Sequence, residues 1–227
     1  TVMLGAGGHL NIRAAQKSLR EKPPGQINDQ TVEDLVDYRD EEGEFGPILC
    51  DSDRAARNIL EFRLADGARL IARPSGTEPK HKIYAEVSAP PIGTGGSLAD
   101  LQSCKAETDA LARELALGLC VELLDRIGIR MPRWALEISD LVPLEWKRDF
   151  SQEVLPKLVS ELTAGKSAGE VEEWVDQRLG KYGTDGRLLV RDAVSAYCRQ
   201  IPPDPSVRKK LERLFAIESS DPAEQRD

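Results

Sequence analysis

At 227 residues, 40% of them apolar and 31% charged, the chain is sized for one or two globular domains. Its net charge of −8 argues against broad nucleic-acid binding, which draws on a basic face. No stretch approaches the roughly 18 to 20 apolar residues of a membrane span, and none reads as a signal peptide.

Thr1 to Leu4 is a short apolar run that suits a strand, followed by the breaker cluster Gly5-Ala6-Gly7-Gly8, read as a flexible strand-to-helix connection. From His9 to Glu21 the recurrence of Ile12, Ala15 and Leu19 predicts a helix, which Pro23-Pro24 stops; His9 falls near its start and is expected in solvent. Thr31 to Tyr38 reads as strand rather than short helix, Asp40 to Pro47 as a solvated loop, and the acidic run Asp37 to Glu44 as hydrated. Asp51-Ser52-Asp53-Arg54 suits a turn or a helix cap.

The alternation of Leu60, Phe62 and Leu64 against Glu61 and Arg63 marks a half-buried strand over 58–64. Asp66-Gly67 supplies a tight hairpin turn, and Ala68 to Arg73 is the returning strand. A third strand runs from Lys80 to Val87, with Ile83, Ala85 and Val87 on one face and Lys82, Tyr84 and Glu86 on the other. His81 shares the Ile83 face and is expected to be a neutral, partly buried strand residue. A Pro/Gly-rich connector (88–97) leads to a helix over 98–126, whose stripe Leu111, Leu115, Leu119, Leu123 and Ile127 should cover one face of the sheet.

Between the second and third of these strands lies Arg73-Pro74-Ser75-Gly76-Thr77-Glu78-Pro79-Lys80. A phosphate dianion needs donors converging from one side around a fixed positive charge. Arg73 offers a planar fork for two phosphate oxygens, and the Ser75 and Thr77 hydroxyls can each donate. Gly76 lets backbone N–H groups approach, the prolines stiffen the loop, and Lys80 and Lys82 add charge at its exit. Glu78 repels an anion, so its side chain is expected to turn away or to pair with a cation. Ordinary turn chemistry between two strands accounts for the same residues, so chemistry alone leaves both readings open.

With Lys82 and Tyr84 after it, this run resembles the signature of the α-D-phosphohexomutase (phosphoglucomutase/phosphomannomutase) family, in which it forms the phosphate-binding loop of the fourth, C-terminal domain. The segments Pro23 to Ile27 and Val32 to Arg39 and the hairpin at Asp66-Gly67 extend the resemblance to residues 1–130. It implies an α+β fold, a TATA-box-binding-protein-like sheet of about four strands with two helices. It also implies a role: gripping the non-reacting phosphate of a hexose phosphate through Arg73, Ser75, Gly76, Thr77, Lys80 and Lys82, and closing the active-site cleft. The family's catalytic serine loop, aspartate-rich magnesium loop and sugar-reading loop have no counterpart here. The fragment is therefore expected to be inactive alone and to hold no cofactor. Mg2+ and a hexose 1,6-bisphosphate are implied only for a full-length enzyme, with its N-terminal catalytic domains as partners. A non-catalytic phosphosugar-binding or regulatory module is the alternative.

Beyond residue 130 the pattern is all-helical and carries no readable chemistry. Phe150, Val154, Leu158 and Leu162 recur at fours. Ser167 with Glu170 forms a capping box ahead of Val171, Trp174, Val175 and Leu179. Leu189, Ala193 and Tyr197 mark another helix, and Asp204-Pro205 starts a last one holding Val207, Leu211, Leu214 and Phe215. The expected division is 1–130, a helical extension over 131–217, and a charged tail over 218–227 without fixed structure. The apolar stripes suit packing on themselves, on the preceding domain or on a second copy of the chain as a homodimer. Trp134, Trp146 and Trp174 are read as core of the helical region, with docking on another surface the alternative for Trp134, beside Pro132. Cys50, Cys104, Cys120 and Cys198 show no ligand spacing and are expected as free buried thiols in the cytoplasm.

Overall fold

The computed structural model describes residues 5–93 and 95–217. The expected strand at Thr1–Leu4 and the tail over 218–227 lie outside the described residues. The chain divides into two compact units, Thr1–Arg130 and Met131–Asp227. Among the described residues no helix is long and apolar enough to cross a membrane.

The first unit is α+β. Helix α1 (Gly5–Glu21) precedes β1 (Gln26–Ile27) and β2 (Gln30–Asp37); a short helix α2 (Asp51–Ala56) leads to β3 (Leu60–Leu64), β4 (Arg69–Pro74) and β5 (His81–Glu86), and α3 (Leu98–Asp125) closes the unit. The sheet is a five-stranded antiparallel meander in the order β1-β2-β3-β4-β5. Period-two side-chain alternation sends Leu60, Phe62, Leu64, Leu70 and Ala72 to one face, all buried. Ile12, Ala15 and Leu19 of α1 and Leu115, Leu119 and Leu123 of α3 complete the core, α1 packing on β4 and α3 on β5, β4 and β1. The Asp66-Gly67 turn forms as expected: Gly67 sits at φ 83° and the Asp66 carboxylate accepts from the Ala68 N–H.

Two local expectations are corrected. The glycine run is no loop, because α1 already begins at Gly5, despite the roughly 1 kcal/mol that a glycine costs within a helix. Leu111 is exposed, so only the C-terminal half of the α3 stripe is core. The acidic stretch is an exposed turn from Asp40 to Phe45, as expected of a hydrated loop, and carries ion pairs of Asp37 with Arg20, Glu41 with Arg54 and Glu44 with Arg63.

The second unit is all-helical. A 3-10 turn (Arg133–Glu137) precedes α4 (Leu144–Asp149), which passes through a π turn (Phe150–Val154) into α5 (Leu155–Thr163); α6 (Ala168–Leu179), α7 (Gly186–Gln200) and α8 (Pro205–Leu214) follow. Its core gathers Phe150, Val154, Leu158 and Leu162 with Val171, Val175 and Leu179, the inner faces of α7 and α8, and Phe215. The Ser167–Glu170 capping box is formed, and the Asp204 carboxylate accepts from Ser206 N–H at the start of α8. Trp134 is 4% exposed and edge-on to Tyr197, in this unit's own core rather than docked elsewhere. The four thiols are free, but only Cys198 is buried and Cys50 is exposed.

Candidate functional site

The loop leaves β4 at Pro74 and enters β5 at His81. Its neck is closed by the Ser75 N–H donating to the Lys80 carbonyl at 2.7 Å, and its tip is tightened by the Lys80 N–H donating to the Glu78 carbonyl at 2.7 Å. Below it, Pro74 pairs with His81 and Arg73 with Lys82 across the ladder. Pro74 and His81 therefore face the helices, whereas Arg73 and Lys82 share the opposite face with Ile71 and Tyr84.

The base of the loop is anchored through His81, which is 2% exposed. Its Nε2 lies 2.8 Å from Gln16 Oε1, and the Gln16 amide donates onward to the carbonyls of Ala72 and Asn58. One glutamine of α1 thereby ties β5, β4 and the entry to β3 together. Burial pushes the His81 pKa down to about 3, because an imidazolium would lose its hydration there. The ring is thus the neutral strand residue expected from sequence.

Beside the loop lies a cavity of about 520 Å³. Arg73, Pro74, Ser75, Gly76 and Glu78 line it from the loop side; His9, Ile12 and Arg13 from α1; Arg39, Ala55, Ala56 and Asn58 from the chain around α2. The structure thus brings Arg73, Ser75 and Gly76 to one cavity, while Thr77, Lys80 and Lys82 lie outside its lining. Arg73 is half-buried and has no hydrogen-bond or ion-pair partner among the described residues. A partly desolvated guanidinium with its donors unused is poised for an anion.

Gly76 has no positive φ, and a Cβ there would meet nothing within 4 Å. Its smallness serves open space in front of the loop rather than a strained turn. Glu78 differs from expectation, since it lines the cavity and has no cation partner among the described residues. Arg13 and Arg39 escaped the sequence reading. The signal for Arg13 was the i, i+3, i+4 spacing of His9, Ile12 and Arg13, which shares one helix face. Arg39 had no comparable signal, because the turn of chain that brings it in is tertiary.

Residues 20–91 match the C-terminal domain of the phosphoglucomutase/phosphomannomutase family. This segment of the chain is thus similar to the fourth domain of that family. Over 87 residues it is 37% identical to a probable phosphomannomutase of Haemophilus influenzae, a match that covers 35% of this chain and 16% of that relative. The chain therefore spans less than a fifth of the curated relative it matches. No solved structure matches it. The loop and its cavity walls from Arg39 to Glu78 fall inside the matched phosphohexomutase domain, whereas His9, Ile12 and Arg13 precede it.

Magnesium, implied by the resemblance for a whole phosphohexomutase, finds no fitting donor set here. Asp53 accepts from the Leu49 N–H and the Arg57 guanidinium in the first turn of α2, so its carboxylate is engaged in capping. No cluster of three or more His, Cys, Asp or Glu side chains suited to a metal occurs among the described residues.

Proposed function

We propose that residues 5–130 are the phosphate-gripping domain of a phosphohexomutase, holding the non-reacting phosphate of a hexose phosphate and closing over it. The observation that carries this reading is that Arg73, whose side chain has no partner among the described residues, lines a cavity of about 520 Å³ together with Ser75 and Gly76, inside the matched segment. Arg73 supplies the fork and Ser75 a hydroxyl donor. Thr77, Lys80 and Lys82 add donors and charge from the loop's tip and exit. The relative's name supports a sugar phosphate as the ligand. The chemical contribution is positioning: binding energy gathered on a remote phosphate orients the reacting one and excludes water from it. Bond breaking belongs to partner domains of the same enzyme, where magnesium and a hexose 1,6-bisphosphate would act. Four free cysteines fit a cytoplasmic setting. Self-association through the helical unit is a separate proposal; a concentration-independent monomer in sedimentation would overturn it.

The deciding experiment titrates this chain with glucose 1,6-bisphosphate by calorimetry, beside Arg73→Ala. Salt-sensitive binding lost in the variant is expected. Binding that survives in Arg73→Ala would move the site away from the loop.

A further inference from the structure

Two of the cavity's cations come from outside the loop. In the first unit Arg20, Arg54, Arg57, Arg63, Arg69 and Arg126 are each ion-paired to a carboxylate. Arg13, like Arg73, has no such partner among the described residues, although the chain carries more acidic than basic side chains. Arg13 is exposed and sits next to Ile12, which is 4% exposed; that burial fixes the helix face from which Arg13 reaches the cavity. Arg39 is oriented differently. Its Nε donates to the Arg54 carbonyl at 2.8 Å, at the end of α2, which leaves its terminal nitrogens without a partner among the described residues. Burial lowers its pKa from the usual arginine value, so this cation is held at a desolvation cost that a bound anion would offset.

Three arginines and one glutamate, Glu78, are among the residues lining the cavity, a formal balance of two positive charges with His9 left aside. A volume of about 520 Å³ falls among pockets that enclose whole small molecules, not single ions. We propose that Arg13 and Arg39 contact the ligand and form, with Arg73, a three-guanidinium pocket selective for the dianion of a phosphate monoester. The proposal rests on the reading of the loop as a phosphate grip. It adds that α1 and the chain after β2 are parts of that grip.

The test titrates the full chain with glucose 6-phosphate at low ionic strength, in parallel with glucose 6-sulfate, which carries one charge instead of two. Arg13→Ala leaves a good helix former in α1. Lys17→Ala, one turn further along the same helix and outside the cavity lining, is its charge-matched control. Arg13→Ala and Arg39→Gln should each weaken glucose 6-phosphate binding about ten-fold, Lys17→Ala less than about two-fold, and the sulfate should bind the parent chain about ten-fold more weakly than the phosphate. Circular dichroism and thermal midpoints confirm folding; should Arg39→Gln loosen α2, Arg13→Ala alone decides. Equal losses in Arg13→Ala and Lys17→Ala would reduce Arg13 to part of the general field and overturn the proposal. Loss confined to Arg73→Ala would overturn it while leaving the phosphate loop standing. A parent chain that binds no sugar phosphate would remove both.

Discussion

Arg73 reaches its cavity from the last turn of a strand, and the residues around it divide between holding the strand and facing the ligand. Gly76 belongs to the second group. Its missing side chain leaves open space, so Gly76→Ala should change stability by no more than about 0.5 kcal/mol. The added methyl should nevertheless weaken glucose 6-phosphate binding several-fold, and a thermal melt run beside the titration separates the two effects. Glu78 works against an anion from within the lining, so Glu78→Gln should tighten binding and steepen its salt dependence, read by the same titration at two ionic strengths. His81 belongs to the first group. Free histidine titrates near 6.5 and buried His81 at about 3, so between those values the unfolded chain binds a proton that the native one refuses. Native stability should therefore hold above pH 6.5 and fall as the pH drops towards 3, by roughly 1 kcal/mol between pH 7 and 5.5. Urea midpoints at the two pH values measure it, and His81→Gln should flatten the difference. The buried neutral histidine was legible from its place on the apolar face of β5. Its partner Gln16 was not, because nothing in a helix pattern marks one polar residue as turned inward.

The longest element, α3, meets the β1–β2 turn through Gly118. A Cβ at that position would lie 2.3 Å from Asn28 Oδ1, and the Asn28 amide donates to the Glu114 carbonyl at 2.9 Å. Asn28 itself stands at φ 52°, a conformation that asparagine tolerates better than most residues. Gly118→Ala should thus cost about 1–3 kcal/mol through overpacking, seen as a lower denaturation midpoint of the first unit. In the helical unit, Ser167→Ala removes the acceptor for the Glu170 N–H and should cost about 1 kcal/mol. The capping box and the Asp204-Pro205 helix start could be read directly, because caps are written in consecutive residues. The short β1 and α2 could not: two residues make no periodic pattern, and α2 has no buried side chain to create one. Its boundary instead comes from Asp53 and Arg57, whose pairing spans one turn.

At the scale of the whole chain, two separate cores carry the fold. That of residues 131–217 is built from its own helices, with Trp134 at its edge. Residues 131–217 expressed alone should accordingly show cooperative thermal loss of helical circular dichroism; a gradual, non-cooperative melt would refute this. The α+β character of the first unit was readable, since the alternation in β3, β4 and β5 is nearly complete. What escaped reading was the cavity, because its walls come from α1, the turn after β2 and the loop, up to 69 residues apart in sequence between His9 and Glu78. The plain strand order has its own consequence for how the molecule comes into being. Each strand hydrogen-bonds to the strand before it in the chain, so the sheet grows by successive short closures and needs no distant segment to begin. On a ribosome, the meander can assemble in the order of its synthesis, and α3 then seals it before the helical unit has emerged.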